Sequence, residues 1–71
     1  MQDWRSIFGG NVRRLRLARK MTQEQLAFEA KIDLTYLGGI ERGARNPSLM
    51  VMGRIAAALS ARLPELLRQH G

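Results

Sequence analysis

Cysteine is absent from this chain, and histidine occurs once, at position 70. Without thiols there is no disulfide frame and no thiolate metal site, and a single His cannot assemble a ligand cluster, so a structural zinc is excluded. Acidic residues are scarce too: six against 12 Lys and Arg, a net charge of +6 on 71 residues. Six scattered acids, no Cys and one terminal His do not supply the paired, positioned groups of acid–base or nucleophilic catalysis, which argues against an enzyme, a small-molecule substrate and a cofactor. Long apolar runs are missing as well. Leu49–Met52 is extended only by Gly53, whereas a bilayer span needs roughly 20 residues. The N-terminus lacks a charged start followed by an apolar stretch of roughly 7 to 15 residues, so no secretory signal is read and the cytoplasm is the expected location. A chain this short hides only about 60% of its unfolded surface, enough for one small core and no deep cleft. A single domain over residues 1–71 is therefore expected.

What the chain does have is positive charge and helical periodicity. A net positive field raises encounter with polyanions and makes nucleic acid the first partner to consider, although charge alone fits a merely soluble basic domain as well. Trp4, Ile7, Phe8, Val12 and Leu15 form one stripe of an amphipathic helix running to about Lys20. Gly9-Gly10 is its weak point, where the first turns fray or form a separate short helix. Arg13, Arg14, Arg16, Arg19 and Lys20 cannot share one face at 100° per residue, so they read as a solvated side with one residue buried for a structural reason.

The next starts are better marked. Thr22 and Gln25 make a capping box, and Met21 with Leu26 a hydrophobic staple, so a second helix begins at Thr22. Asp33 offers another N-cap oxygen, with Ile32 and Leu37 at staple spacing, for a third helix ending at Gly43. Asn46, Pro47 and Ser48 are turn and cap residues before a fourth helix with Met52, Ile55, Ala56 and Leu59 on one stripe. Pro64 opens a fifth, whose apolar contacts are Leu63, Leu66 and Leu67. No strand pattern, repeat or linker interrupts the series. The fold class is all-α, a compact five-helix bundle.

Two short, independently capped helices separated by about three residues have helix-turn-helix geometry, in which the second helix enters the major groove. The run TQEQLAFEAKIDLTYLGGIERGARNPSL followed by IAAAL resembles the Cro and phage-repressor (XRE-type) helix-turn-helix family. The resemblance spans about residues 7 to 68. It implies a lambda-repressor-like DNA-binding domain. Thr35-Tyr36, Glu41-Arg42-Gly43 and Arg45-Asn46-Pro47 look most like small stand-alone regulators, restriction-modification controller proteins among them. Lys20 and Lys31 depart from that pattern, standing where many relatives have Gly. Gly38-Gly39 lies inside the third helix, leaving a bare recognition surface, and Leu34 stands where controller-like relatives often carry a base-reading basic residue.

The function implied is a sequence-specific transcription regulator that binds double-stranded DNA as a homodimer. An antitoxin-like or other protein-interaction module, with DNA binding secondary, is the alternative. By resemblance Gln23 contacts a phosphate, or else is an ordinary exposed residue. Asp33, Leu34, Thr35 and Tyr36 occupy the end of helix three expected to approach base edges, where the Thr hydroxyl or methyl meets a base and the Tyr hydroxyl a phosphate, unless the Tyr ring packs on the helix pair. Gly38 and Gly39 either permit close backbone approach or simply tolerate an exposed face. Arg42, Arg45 and Asn46 are expected to clamp the sugar-phosphate strand. Trp4, Phe8, Phe28 and the four Met residues read as core by their helical spacing, which leaves no stacking platform for single strands or RNA. A membrane-surface role is set aside because every junction carries caps and turn residues. The dimer contact is expected at Met50, Val51, Leu63, Leu66 and Leu67, unless the three Leu residues simply close the core. Arg16 and Glu41, which match the family's paired Arg and Glu, are expected to form a buried ion pair. Otherwise Arg16 belongs to the solvated face.

Overall fold

The computed structural model describes residues 3–69. His70, read above as unable to supply paired catalytic groups, and Met1, counted above among the core methionines, lie outside them. Among the described residues five helices follow in order: α1 Trp4–Ala18, α2 Gln23–Ala30, α3 Leu34–Glu41, α4 Leu49–Ala58 and α5 Leu63–Leu66. They enclose a core of Phe8, Val12, Leu26, Leu37, Ile40, Ile55, Leu59 and Leu66, with Ala27, Ala30 and Ala56 filling between them.

The helix starts form where side-chain oxygens can take up otherwise unpaired N–H groups. The Thr22 hydroxyl accepts from the Gln25 N–H at 3.0 Å while the Gln25 side chain accepts from the Thr22 N–H at 2.8 Å, the reciprocal capping box. Asp33 accepts from the Tyr36 N–H at 3.1 Å and Ser48 from the Val51 N–H at 3.1 Å. Asp3 does the same for α1, accepting from the Arg5 N–H.

The ends share another device. Residues Lys20, Lys31, Gly43 and Ser60 take positive φ angles of 57°, 59°, 76° and 53°. Each is followed by an N–H that reaches back over the last turn: Met21 to the Arg16 carbonyl, Ile32 to Ala27, Ala44 to Gly39, Ala61 to Ala56. This is the Schellman closure, which usually places Gly at the left-handed position. Here only one of the four is Gly. The lysines accept the conformation that costs a side-chain-bearing residue roughly 1–2 kcal/mol.

Four expectations are corrected. Gly9-Gly10 does not break α1, which is continuous to Ala18, because a Cβ at Gly9 would collide with the Ile40 carbonyl oxygen. The glycine lets α1 and α3 approach at backbone distance, and that contact holds the helix through its weak point. The third helix ends at Glu41, two residues before Gly43, which supplies the closure rather than the last turn. Phe28 is not core but 84% exposed, and Trp4 and Met50 are also exposed. Helical spacing identifies a stripe but not its width, and on an eight-residue helix the second buried row is already occupied by Ala27 and Ala30. Leu66, assigned to a dimer contact, is wholly buried and closes the core beneath α1. Among the described residues no helix is long and apolar enough to cross a membrane.

Candidate nucleic-acid interface

The helix-turn-helix unit is α2, the turn at Lys31–Asp33 and α3. What orients it is a polar cluster where α1, α2 and α3 meet. The Arg16 guanidinium forks onto Glu41, with Nε 2.7 Å from Oε2 and Nη2 3.0 Å from Oε1. Both residues are buried. Arg16 therefore leaves the solvated side of the basic run, while Arg13, Arg14, Arg19 and Lys20 stay exposed. Its third donor, Nη1, reaches the Met21 carbonyl at 2.8 Å, tying in the turn before α2. Glu41 Oε1 also accepts from the Gln23 amide at 3.1 Å. A carboxylate so far from water is tolerated because both oxygens receive charge-assisted or amide donors, and no buried side-chain polar atom among the described residues lacks a partner.

Gln23 is therefore neither an ordinary exposed residue nor a free one: it is half-buried at the first position of α2 and held by Glu41. One N–H of its amide is engaged, while the amide nitrogen carries a second. Asp33 serves as N-cap of α3 through its carboxylate. Thr35 is exposed on the first turn, and Tyr36 is half-buried with its ring against the core. Leu34 is 41% exposed.

The middle of α3 differs from expectation. Gly38 and Gly39 are buried, and what covers them is arginine. A Cβ at Gly38 would lie 3.3 Å from Arg42 Nη1, and one at Gly39 would lie 2.7 Å from Arg45 Cγ and 3.2 Å from Arg45 Nε. The two glycines thus form a shelf along which Arg42 and Arg45 lie, so α3 carries two guanidinium groups across its middle rather than a bare surface. Asn46 is exposed in the loop that follows, and Pro47 is buried, lining a small pocket with Trp4 and Met52.

A polar residue that sequence reasoning passed over is Asn11. It is buried on α1, and its amide donates to the Leu66 and Arg68 carbonyls at 2.8 Å each. Its signal was visible: a lone Asn between Phe8 and Val12, inside the apolar stripe. Among the described residues no group of His, Cys, Asp and Glu could hold a metal ion.

A helix-turn-helix family model matches residues 12–66. The control protein C.BamHI of Bacillus amyloliquefaciens is 45% identical over 64 residues, covering 89% of this chain and 79% of that protein. Control protein C.SmaI of Serratia marcescens is 38% identical over 69 residues, 97% and 82% of the two chains. The crystal structure of the restriction-modification controller protein C.AhdI from Aeromonas hydrophila superposes with a TM-score of 0.85 at 44% identity, covering 87% of this chain and 94% of that one. The chain belongs to the helix-turn-helix family. It is a DNA-binding transcription regulator, not an enzyme.

Proposed function

We propose that the protein regulates transcription as a cytoplasmic homodimer, placing α3 of each copy in the major groove of a double-stranded operator. The observation that carries this reading is the arginine-covered shelf on α3, backed by the buried Arg16–Glu41 pair that sets the helix's angle. Thr35, exposed on the first turn, reads a base edge; Arg42, Arg45 and Asn46 hold the sugar-phosphate strand. The second N–H of the Gln23 amide and the unpaired backbone N–H groups at the start of α2 suit a phosphate. Tyr36, with its ring against the core, offers its hydroxyl to the backbone rather than to a base. The similarity to C.BamHI, C.SmaI and C.AhdI makes control of a restriction-modification system the proposed context.

One copy spans about one half-site, so two-fold pairing is part of the proposal. With Leu66 in the core, the apolar surface left for a second copy begins at Met50, 74% exposed, and its neighbour Leu49. Val51, Leu63 and Leu67, half-buried against the core, are the other candidates for the contact.

The test is a pair of substitutions on duplexes selected from a random library. Thr35→Ala lowers discrimination between selected and altered duplexes by about 1–3 kcal/mol. Arg45→Ala weakens binding to every duplex and reduces the salt slope by roughly one unit. Should both lose specific and non-specific binding in equal proportion, the division between base and phosphate contacts fails; a protein that binds no duplex overturns the reading outright. Met50→Glu gives a folded monomer by sedimentation, with weakened binding.

A further inference from the structure

Leu34 is out of place for a buried-core helix former. The inward residues of α3, Leu37 and Ile40, are essentially inaccessible to solvent, whereas Leu34 stands 41% exposed at the first position of the helix. It lines an open groove between α1, α2 and α3 together with Leu17, Met21 and Gln23, and Leu17 is itself 49% exposed. An apolar side chain therefore stands at the first turn of α3 beside Thr35, while the side chains of Arg42 and Arg45, which follow the helix, lie across its middle.

On the reading that α3 enters a major groove, that end meets base edges. Those edges present hydrogen-bonding atoms at every base pair and one apolar group, the C5-methyl of thymine. Leucine has no donor or acceptor, so seating it over a guanine or adenine edge would strip water from polar atoms and return no partner. Over a C5-methyl it buries carbon against carbon. We propose that Leu34 is a specificity-determining residue that reads a pyrimidine C5-methyl group in each half-site. Cytosine methylated at C5 presents the same group as thymine, so the shared chemistry is the methyl itself.

The probe is the duplex recovered from a randomised, unmethylated library by the intact protein, resynthesised with deoxyuridine in place of thymidine at one position at a time. Uracil differs from thymine only by the methyl. The expected result is one position per half-site at which its removal weakens binding about fourfold, the ~0.8 kcal/mol of one buried carbon converted at ~1.4 kcal/mol per tenfold. At that position 5-methylcytosine binds better than cytosine by a similar factor. The order of the four duplexes then tells whether thymine or methylated cytosine is the better source. Leu34→Ala, at a partly exposed first helical position, keeps the fold by circular dichroism and abolishes both differences. Leu34→Arg moves the preferred base at that position from thymine to guanine, whose O6 and N7 accept from a guanidinium. A flat uracil scan with tight binding retained overturns the inference and leaves the proposed function standing. A methyl effect that persists in Leu34→Ala assigns the methyl to another residue and overturns it as well. Failure to enrich any duplex removes both.

Discussion

Two buried polar clamps grip α1, one at each side of the molecule, and they differ in charge. Toward α2 and α3, Arg16 holds Glu41 through a two-pronged ion pair, with Gln23 and the Met21 carbonyl completing the set. Toward α5, neutral Asn11 holds two backbone carbonyls at the end of a four-residue helix. Leu66 is the last residue of α5 and Arg68 lies just beyond it, where carbonyls find no helical N–H donor, so one amide does the work of a cap. The two clamps serve different ends. A neutral amide on backbone oxygen is sufficient to pin a short terminal helix. An ion pair in the interior gains little net stability over apolar packing, but it is directional, and it severely penalises any arrangement that separates the charges. That property suits the junction that sets the angle of the recognition helix.

The largest effect is expected at Glu41. Glu41→Ala leaves the Arg16 charge buried without a partner and lowers stability by about 3–5 kcal/mol, a large part of the roughly 5–15 kcal/mol a domain possesses. Thermal melting measures it, and a loss under about 1 kcal/mol would put the pair in the class of surface bridges. Replacing both partners, Arg16→Met with Glu41→Leu, recovers most of the stability while DNA affinity stays reduced. That outcome separates orientation from cohesion. Asn11→Ala comes next, at about 1–3 kcal/mol, because two carbonyls lose their donor at a buried site. Its effect on DNA binding is no larger than its effect on the folded fraction, since α5 lies away from α3. Chemical denaturation and binding measured on one preparation decide this.

Gln23→Ala costs less, about 0.5–1.5 kcal/mol for one hydrogen bond to a carboxylate already held by Arg16. In a Glu41→Ala background the same change adds nearly nothing, and a double-mutant cycle shows that coupling directly. The smallest stability effect is expected at Gly39. Gly39→Ala leaves both clamps intact and gains helix propensity of up to about 1 kcal/mol, so melting shifts little. Arg45, however, must leave the space its Cγ occupies. Binding to all duplexes falls in the direction of Arg45→Ala but by less. Unchanged affinity would show that the shelf does not position the arginine.

The helix starts were legible because capping is local: Thr22 with Gln25, Asp33 and Ser48 each satisfy N–H groups within three residues of themselves. The helix ends were less so. Only Gly43 carries the usual mark of a left-handed residue, while Lys20, Lys31 and Ser60 adopt that conformation without it, since packing of the next helix demands the turn. At the candidate interface, Arg16 and Glu41 were visible as a pair only through resemblance, because their 25-residue separation leaves no local trace. Gly38-Gly39 read as bare surface because nothing in the order of residues says that Arg42 and Arg45 fold back across it.

By itself the sequence determined the five helices, their caps, the helix-turn-helix spacing and the positive charge that favours a polyanion, for these depend on neighbours a few residues apart. Tertiary structure alone decided which side of each stripe is covered. Phe28 was left in solvent because alanines already fill the row facing α4, and Leu66 was drawn inside because α1 needed closing. Asn11 became a clamp because α5 ends beside it. Those outcomes depend on space and unpaired polar groups contributed by distant segments, which exist only once the helices have met.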